Sequence, residues 1–186
     1  RGDHETIDLI ERELRDNKLS VDIFSIRSEG TRPFAAFALD RSRPSLIPGQ
    51  VHEFDVVVRN LGVGHTFPGG TNDSNEGWLE ISVVDPDKQV VAVSGLIEED
   101  GHVDPSAHFY KALMLDKKGE PIHRRNAQDI VTPVYTRVIG PGTADVAHFS
   151  FLVPESYLGQ NLTIKARLLW RKFDRNYTEF SYNKAP

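Results

Sequence analysis

The sequence predicts an all-β protein, an immunoglobulin-like antiparallel β-sandwich with a short N-terminal helix. Three observations carry that expectation. Apolar and polar residues alternate with a period of two through most of the chain, the pattern of half-buried strands. Clusters of Gly, Pro, Asn and Asp interrupt the alternation at short intervals, as turns between antiparallel strands do. Helical spacing is confined to the opening stretch "RGDHETIDLIERELRDNK", so no crossover helices alternate with the strands to build a parallel sheet.

In that stretch Asp3 is a candidate N-cap, and Ile7, Ile10 and Leu14 recur on one helical face. The helix is mostly charged elsewhere, so it is expected to lie on a larger body by that stripe. Residues 1–19 therefore read as a helix and linker, and residues 20–186 as the sandwich. "SVDIFSIRS" alternates Val21, Ile23 and Ser25 against Asp22, Phe24 and Ile26. "FAAFALD" follows, and "RSRPSLIPGQ" then breaks the pattern. "VHEFDVVVRN" sets Phe54, Val56 and Val58 against Glu53, Asp55 and Arg59. "WLEISVVD" turns through "DPDKQ" into "VVAVSG", a β-hairpin. "VYTRVIG", "VAHFSFLVP" and "LTIKARLLWRKF" complete a set of about seven to nine strands. In the last of these Leu162, Ile164, Ala166, Leu168 and Trp170 alternate with Asn161, Thr163, Lys165 and Arg167. Residues 102–130 are less periodic and read as a long excursion from the sandwich, where function tends to sit.

The 186 residues suit one domain with a substantial core. A net charge of −5 without a basic block gives a nucleic-acid partner no electrostatic footprint. The apolar runs are too short to form a transmembrane helix. With no cysteine, the chain can make no disulfide, no thiolate metal site, no cysteine nucleophile and no covalent haem attachment through Cys-x-x-Cys-His. It opens at Arg1 rather than Met and shows no signal peptide, which suggests a processed or excised part of a longer protein. "NDS", "NLT" and "NYT" fit the glycosylation sequon, a pattern that also arises by chance.

The most unusual segment is "GVGHTFPGGTNDSNEGW", residues 62–78. Its glycines and asparagines suit tight turns, while His65, Asn72, Asp73, Asn75 and Glu76 add possible metal ligands. Hard oxygen donors favour Ca²⁺, and a histidine shifts the preference toward a transition metal. A turn capped by its own Asx side chains accounts equally well for these residues. The later stretch with Asp100, His102, Asp104, His108 and His123 offers more donors. His102 and His108 could meet Asp73 or Glu76 if the two loops share one end of the sandwich, and Asp73, Glu76, Asp104 and His108 are the candidate metal ligands. The C-terminal "LLWRKFDRNYTEFSY" reads as an edge strand packing Trp170, Phe173 and Tyr177 onto a neighbouring domain.

Taken in order, "RGDHETIDLIERELRDNKLSVDIFSI", "VVVRNLGVGHTFPGGTNDSNEGWLEISVVD", "SGLIEEDGHVDPSAHFY" and "RLLWRKFDRNYTEF" resemble the carboxy-terminal portion of large multihaem c-type cytochromes. In that family a haem-rich region precedes a cysteine-free β-sandwich with a Gly-His-x-Phe-Pro-(Thr/Gly)-Gly loop. The loop at residues 64–70, Trp78 and the Ser94, Gly95 pair carry most of the specificity. The resemblance implies a non-catalytic module that docks on and shields a haem array in the periplasm or outside the cell. Haem c would belong to a haem-bearing domain or subunit of the same protein, with contact to a redox partner also implied. It makes His65 a candidate distal haem ligand, with His4 a competitor and a purely structural role for His65 the alternative. Two other readings stay open: a free-standing Ca²⁺-binding or interaction module, and a metal-dependent enzyme using His65, His102 or His108.

Overall fold

The structure, a computed structural model, describes residues 3–28, 36–37, 43–71 and 73–184. Helix α1 (His4–Arg15) forms where the spacing predicts it. The Asp3 carboxylate accepts the Thr6 N–H at 3.0 Å, and Arg12 and Arg15 place positive charge at the carbonyl end. Yet α1 buries no residue, and Ile7, Ile10 and Leu14 are all exposed. Among the described residues the stripe has no seat that buries it.

The described strands are β1 (Leu19–Ser28), β2 (Ala36–Phe37), β3 (Val51–Asn60), β4 (Glu76–Val84), β5 (Val90–Ser94), β6 (His108–Tyr110), β7 (Ala112–Leu115), β8 (Pro121–Ile122), β9 (Thr132–Thr136), β10 (Ala144–Leu152) and β11 (Thr163–Arg171). Of the "FAAFALD" segment only the backbone of β2 is described; the rest lies outside the described residues. One antiparallel sheet has the order β10-β3-β1-β2; the other has β11-β4-β5, with β6 pairing the first part of β4. Phe54, Val56 and Val58 meet Leu79, Ile81 and Val83 between them, joined by Ala147, Phe151 and the inward face of β11. Burying each such side chain contributes about 1.5–3 kcal/mol, so this layer holds the sandwich closed.

Three features depart from the sequence pattern. A bulge between Ile23 and Ser25 in β1 breaks the simple alternation. Ile23 and Ile26 both pack on the core, while Ser25 turns outward to Asp55. The 102–130 excursion returns β6 to the sandwich and then builds a small third sheet, β8-β7-β9. Finally, the chain after β11 is not an edge strand. Asp174 accepts the Tyr177 N–H at 2.7 Å and starts helix α2 (Arg175–Lys184). Phe173 and Tyr177 stack at 4.9 Å, four residues apart, a helical rather than a strand spacing. Trp170 is exposed at the end of β11.

Candidate functional site

The loop that follows β3 is built on Asn60, a fully buried side chain. Its amide donates to the carbonyls of His65 (3.0 Å) and Ile139 (3.1 Å), and its oxygen accepts the Val63 N–H at 3.0 Å. Phe67 and Ile139 exchange backbone hydrogen bonds at 2.8 and 2.7 Å, and the Asn75 amide donates to the Gly69 carbonyl at 2.9 Å. The N–H groups of Leu61 and Gly62 bond to the Lys18 carbonyl, tying the loop to the junction of α1 and β1. Buried side-chain amides thus replace the ladder that an irregular backbone lacks.

This frame orients His65. Its Nδ1 lies 2.7 Å from the Thr66 carbonyl, which can only accept, so Nδ1 carries the proton. The ring sits over Gly69, where any Cβ would stand 2.5 Å from Nδ1. The imidazole itself is exposed, leaving Nε2 as the nitrogen available to a ligand.

The Trp78 and Gly95 motif residues meet on the outer face of the second sheet. Trp78 Nε1 donates to the Gly95 carbonyl at 2.9 Å and packs with Val103, Ala107, Phe109 and Leu169. Asp104 accepts the Gly95 N–H at 3.1 Å and the Ser106 N–H at 2.8 Å. It closes the 95–106 loop over Trp78.

The expected metal ligands are not gathered. Asn72 lies outside the described residues. The Asp73 carboxylate accepts the Arg125 N–H at 2.8 Å. Glu76 is buried and receives Arg171 Nε at 2.6 Å and Lys111 Nζ at 3.3 Å. Asp104 serves the Trp78 loop. His108 Nε2 donates to Asp145 at 2.8 Å, and Arg137 lies 3.5 Å from its Nδ1, so both nitrogens are engaged. His102 sits between Asp100 (3.1 Å) and Asn176 (3.5 Å). Among the described residues no three His, Asp or Glu side chains converge as a metal-ion site.

Burial lowers the pKa of His108, and Arg137 adds to this against the opposing hydrogen bond to Asp145. His102 is raised, chiefly by its bond to Asp100. Sequence reasoning missed a second ordered histidine. His148 on β10 stands opposite Asp55 on β3, a pairing that only strand register reveals.

No protein-family profile and no curated protein matches the chain. A solved structure does: the penta-heme cytochrome c552 from Thermochromatium tepidum aligns over 94% of this chain with a TM-score of 0.58 and 13% identity. The chain spans 37% of the length of that cytochrome. What the two share is the fold, an all-β sandwich. Among the described residues no helix is long and apolar enough to cross a membrane.

Proposed function

We propose that this chain is a non-catalytic β-sandwich module of an exported multihaem c-type cytochrome, acting in the periplasm or outside the cell. It docks on the haem-bearing domain or subunit through the end of the sandwich that carries the His65 loop. The observation that carries this reading is that elements with exposed apolar residues are tied to that loop by backbone hydrogen bonds or by the chain itself. Helix α1, with Ile7, Ile10 and Leu14 exposed, is tied to it through Lys18. Strand β9, with Val134 and Tyr135 exposed, leads into Ile139, which pairs with Phe67 of the loop. Leu61, on the loop itself, is exposed too. Exposed apolar residues on elements tied to a rigid loop are what a covered interface draws on.

The donor chemistry fits a haem. Without cysteine, covalent attachment falls to the partner, and an Nδ1–H imidazole presents the lone pair that binds iron or faces a haem edge. Haem c supplies one-electron transfer when bound. The residues of this chain exclude water from that edge and lower the local dielectric, which tunes the potential, and another face is left for a redox partner. The Ca²⁺ reading gains no support from the geometry, because Asp73, Glu76, Asp104 and His108 are each engaged elsewhere in the fold.

The test is isolation of the protein from its source, followed by intact mass and visible spectrum. A c-type Soret band on the protein or on a co-eluting subunit is expected, with Val134→Glu or Leu61→Glu releasing the haem-bearing partner. A colourless protein that retains no haem protein would overturn the proposal.

A further inference from the structure

A second histidine is held as firmly as His65, on a different face. On the outer side of the first sheet His148 Nδ1 donates to Asp55 Oδ1 at 2.7 Å. Asp55 is fixed in turn by Ser25 Oγ at 2.5 Å and by Arg27 Nη1 at 3.1 Å. The Asp55 side chain is 10% exposed, whereas that of His148 is 67% exposed. No other hydrogen bond to the His148 ring is present among the described residues. A buried carboxylate therefore fixes the tautomer and direction of an imidazole whose other nitrogen faces solvent. That is the arrangement by which an outer carboxylate orients a metal-binding histidine.

Arg27 also bonds Glu53 at 2.6 Å, so the guanidinium that holds Asp55 is itself anchored. Cross-strand pairing places His148 beside Asp55, five residues along β3 from Asn60 and so about 16 Å from the His65 loop. The two imidazoles cannot share one centre.

We propose that His148 is a preoriented nitrogen ligand for a transition-metal centre with one open coordination position, and that Asp55 is its positioning residue. The centre would be either a haem iron lacking a sixth ligand or an aqueous divalent ion. The inference does not depend on docking through the His65 loop.

The test uses the full chain carrying His65→Ala. It is titrated with Ni²⁺ alone, followed by NMR broadening of the histidine ring protons, and with a ferric haem peptide bearing one proximal histidine, followed by its Soret shift. Binding of about one equivalent is expected, abolished by His148→Gln and weakened about 10–100-fold by Asp55→Asn. A response to the haem peptide alone identifies haem iron as the source, and a response to Ni²⁺ alone identifies a free ion. Ser25→Ala keeps the carboxylate charge and checks the result if Asp55→Asn folds poorly; it should weaken binding to a smaller extent. Failure of both probes, or binding unchanged in His148→Gln, would overturn the site and leave His148 a counter-ion of Asp55. Affinity unchanged in both Asp55→Asn and Ser25→Ala would overturn the positioning role.

Discussion

The imidazole of His65 occupies the space that a side chain at position 69 would need. A Cβ on Gly69 would stand 2.5 Å from its Nδ1, 2.6 Å from its Cε1 and 2.9 Å from the Thr66 carbonyl oxygen. Gly69→Ala should therefore displace the ring and cost about 1–3 kcal/mol of stability by overpacking. His65→Ala in the same chain should recover part of that loss, and the Thr66 clash should keep the rest. Urea denaturation of the two single variants and the double variant measures the coupling, expected at about 0.5–2 kcal/mol. Simple additivity would mean that the ring is not held over Gly69.

Gly95 is constrained more severely. Its φ is +81°, and a Cβ there would lie 2.3 Å from the Leu79 carbonyl oxygen. Gly95→Ala should cost about 2–4 kcal/mol through left-handed strain plus a backbone clash. Because the Gly95 carbonyl accepts the Trp78 indole N–H, Trp fluorescence should shift to the red in the same variant. A thermal midpoint close to wild type would contradict this geometry.

Glu76 is a buried carboxylate between two cations, Arg171 and Lys111. Glu76→Gln should cost about 2–4 kcal/mol, because it leaves two partly buried positive charges with no carboxylate between them. Arg171→Met in the same chain should restore part of the stability. Calorimetry of these variants, with Ca²⁺ or chelator added to the wild type, separates an ion-pair role from a metal role: the wild-type midpoint should not move.

Stability should fall in two steps on acidification. Burial lowers the His108 pKa, so its contribution is complete above the ordinary histidine value of about 6.5. It is lost as pH drops from there toward the lower folded value, because the unfolded chain takes up the proton first. His102, shifted the other way, contributes fully below that value and does not mask the step. Burial tends to raise the Asp55 carboxyl, but the Ser25 and His148 hydrogen bonds and the Arg27 charge outweigh it, and the net shift is downward. Its contribution is complete above the ordinary carboxylate value of about 3.9 and declines as pH falls through the folded value. Denaturation midpoints measured from pH 7.5 to 3 should lose the first step in His108→Gln and part of the second in Asp55→Asn, since Asp3, Asp100, Asp104 and Asp116 are lowered as well.

Much of the fold was legible because period-two patterning reports which face of a strand is buried. The series Phe54, Val56, Val58 and the hairpin from Trp78 through Val93 appear where the alternation puts them. The pattern failed where one residue changed the phase, as at the Phe24 bulge. It failed again where a cap and an aromatic pair at helical spacing, Asp174 with Phe173 and Tyr177, outweighed the strand-like look of the C-terminal stretch. The site was legible in part. The glycines and His65 of the loop mark a special backbone in the sequence, but the Asn60 amide that holds it looks like any strand-end polar residue.

The sequence by itself determined the class of fold, the N-terminal helix, the absence of cysteine from these residues and the position of the unusual loop, since each depends on local pattern or residue type. Only the tertiary structure decided which polar groups meet. Asp73, Glu76, Asp104 and His108 are candidate ligands along the chain, and each is engaged by its own partner. Asp55 and His148, 93 residues apart, are brought together. The physical reason is register: side chains from distant strands become neighbours through the hydrogen-bonded pairing of their backbones, and a shift of one residue would turn either of them to the opposite face.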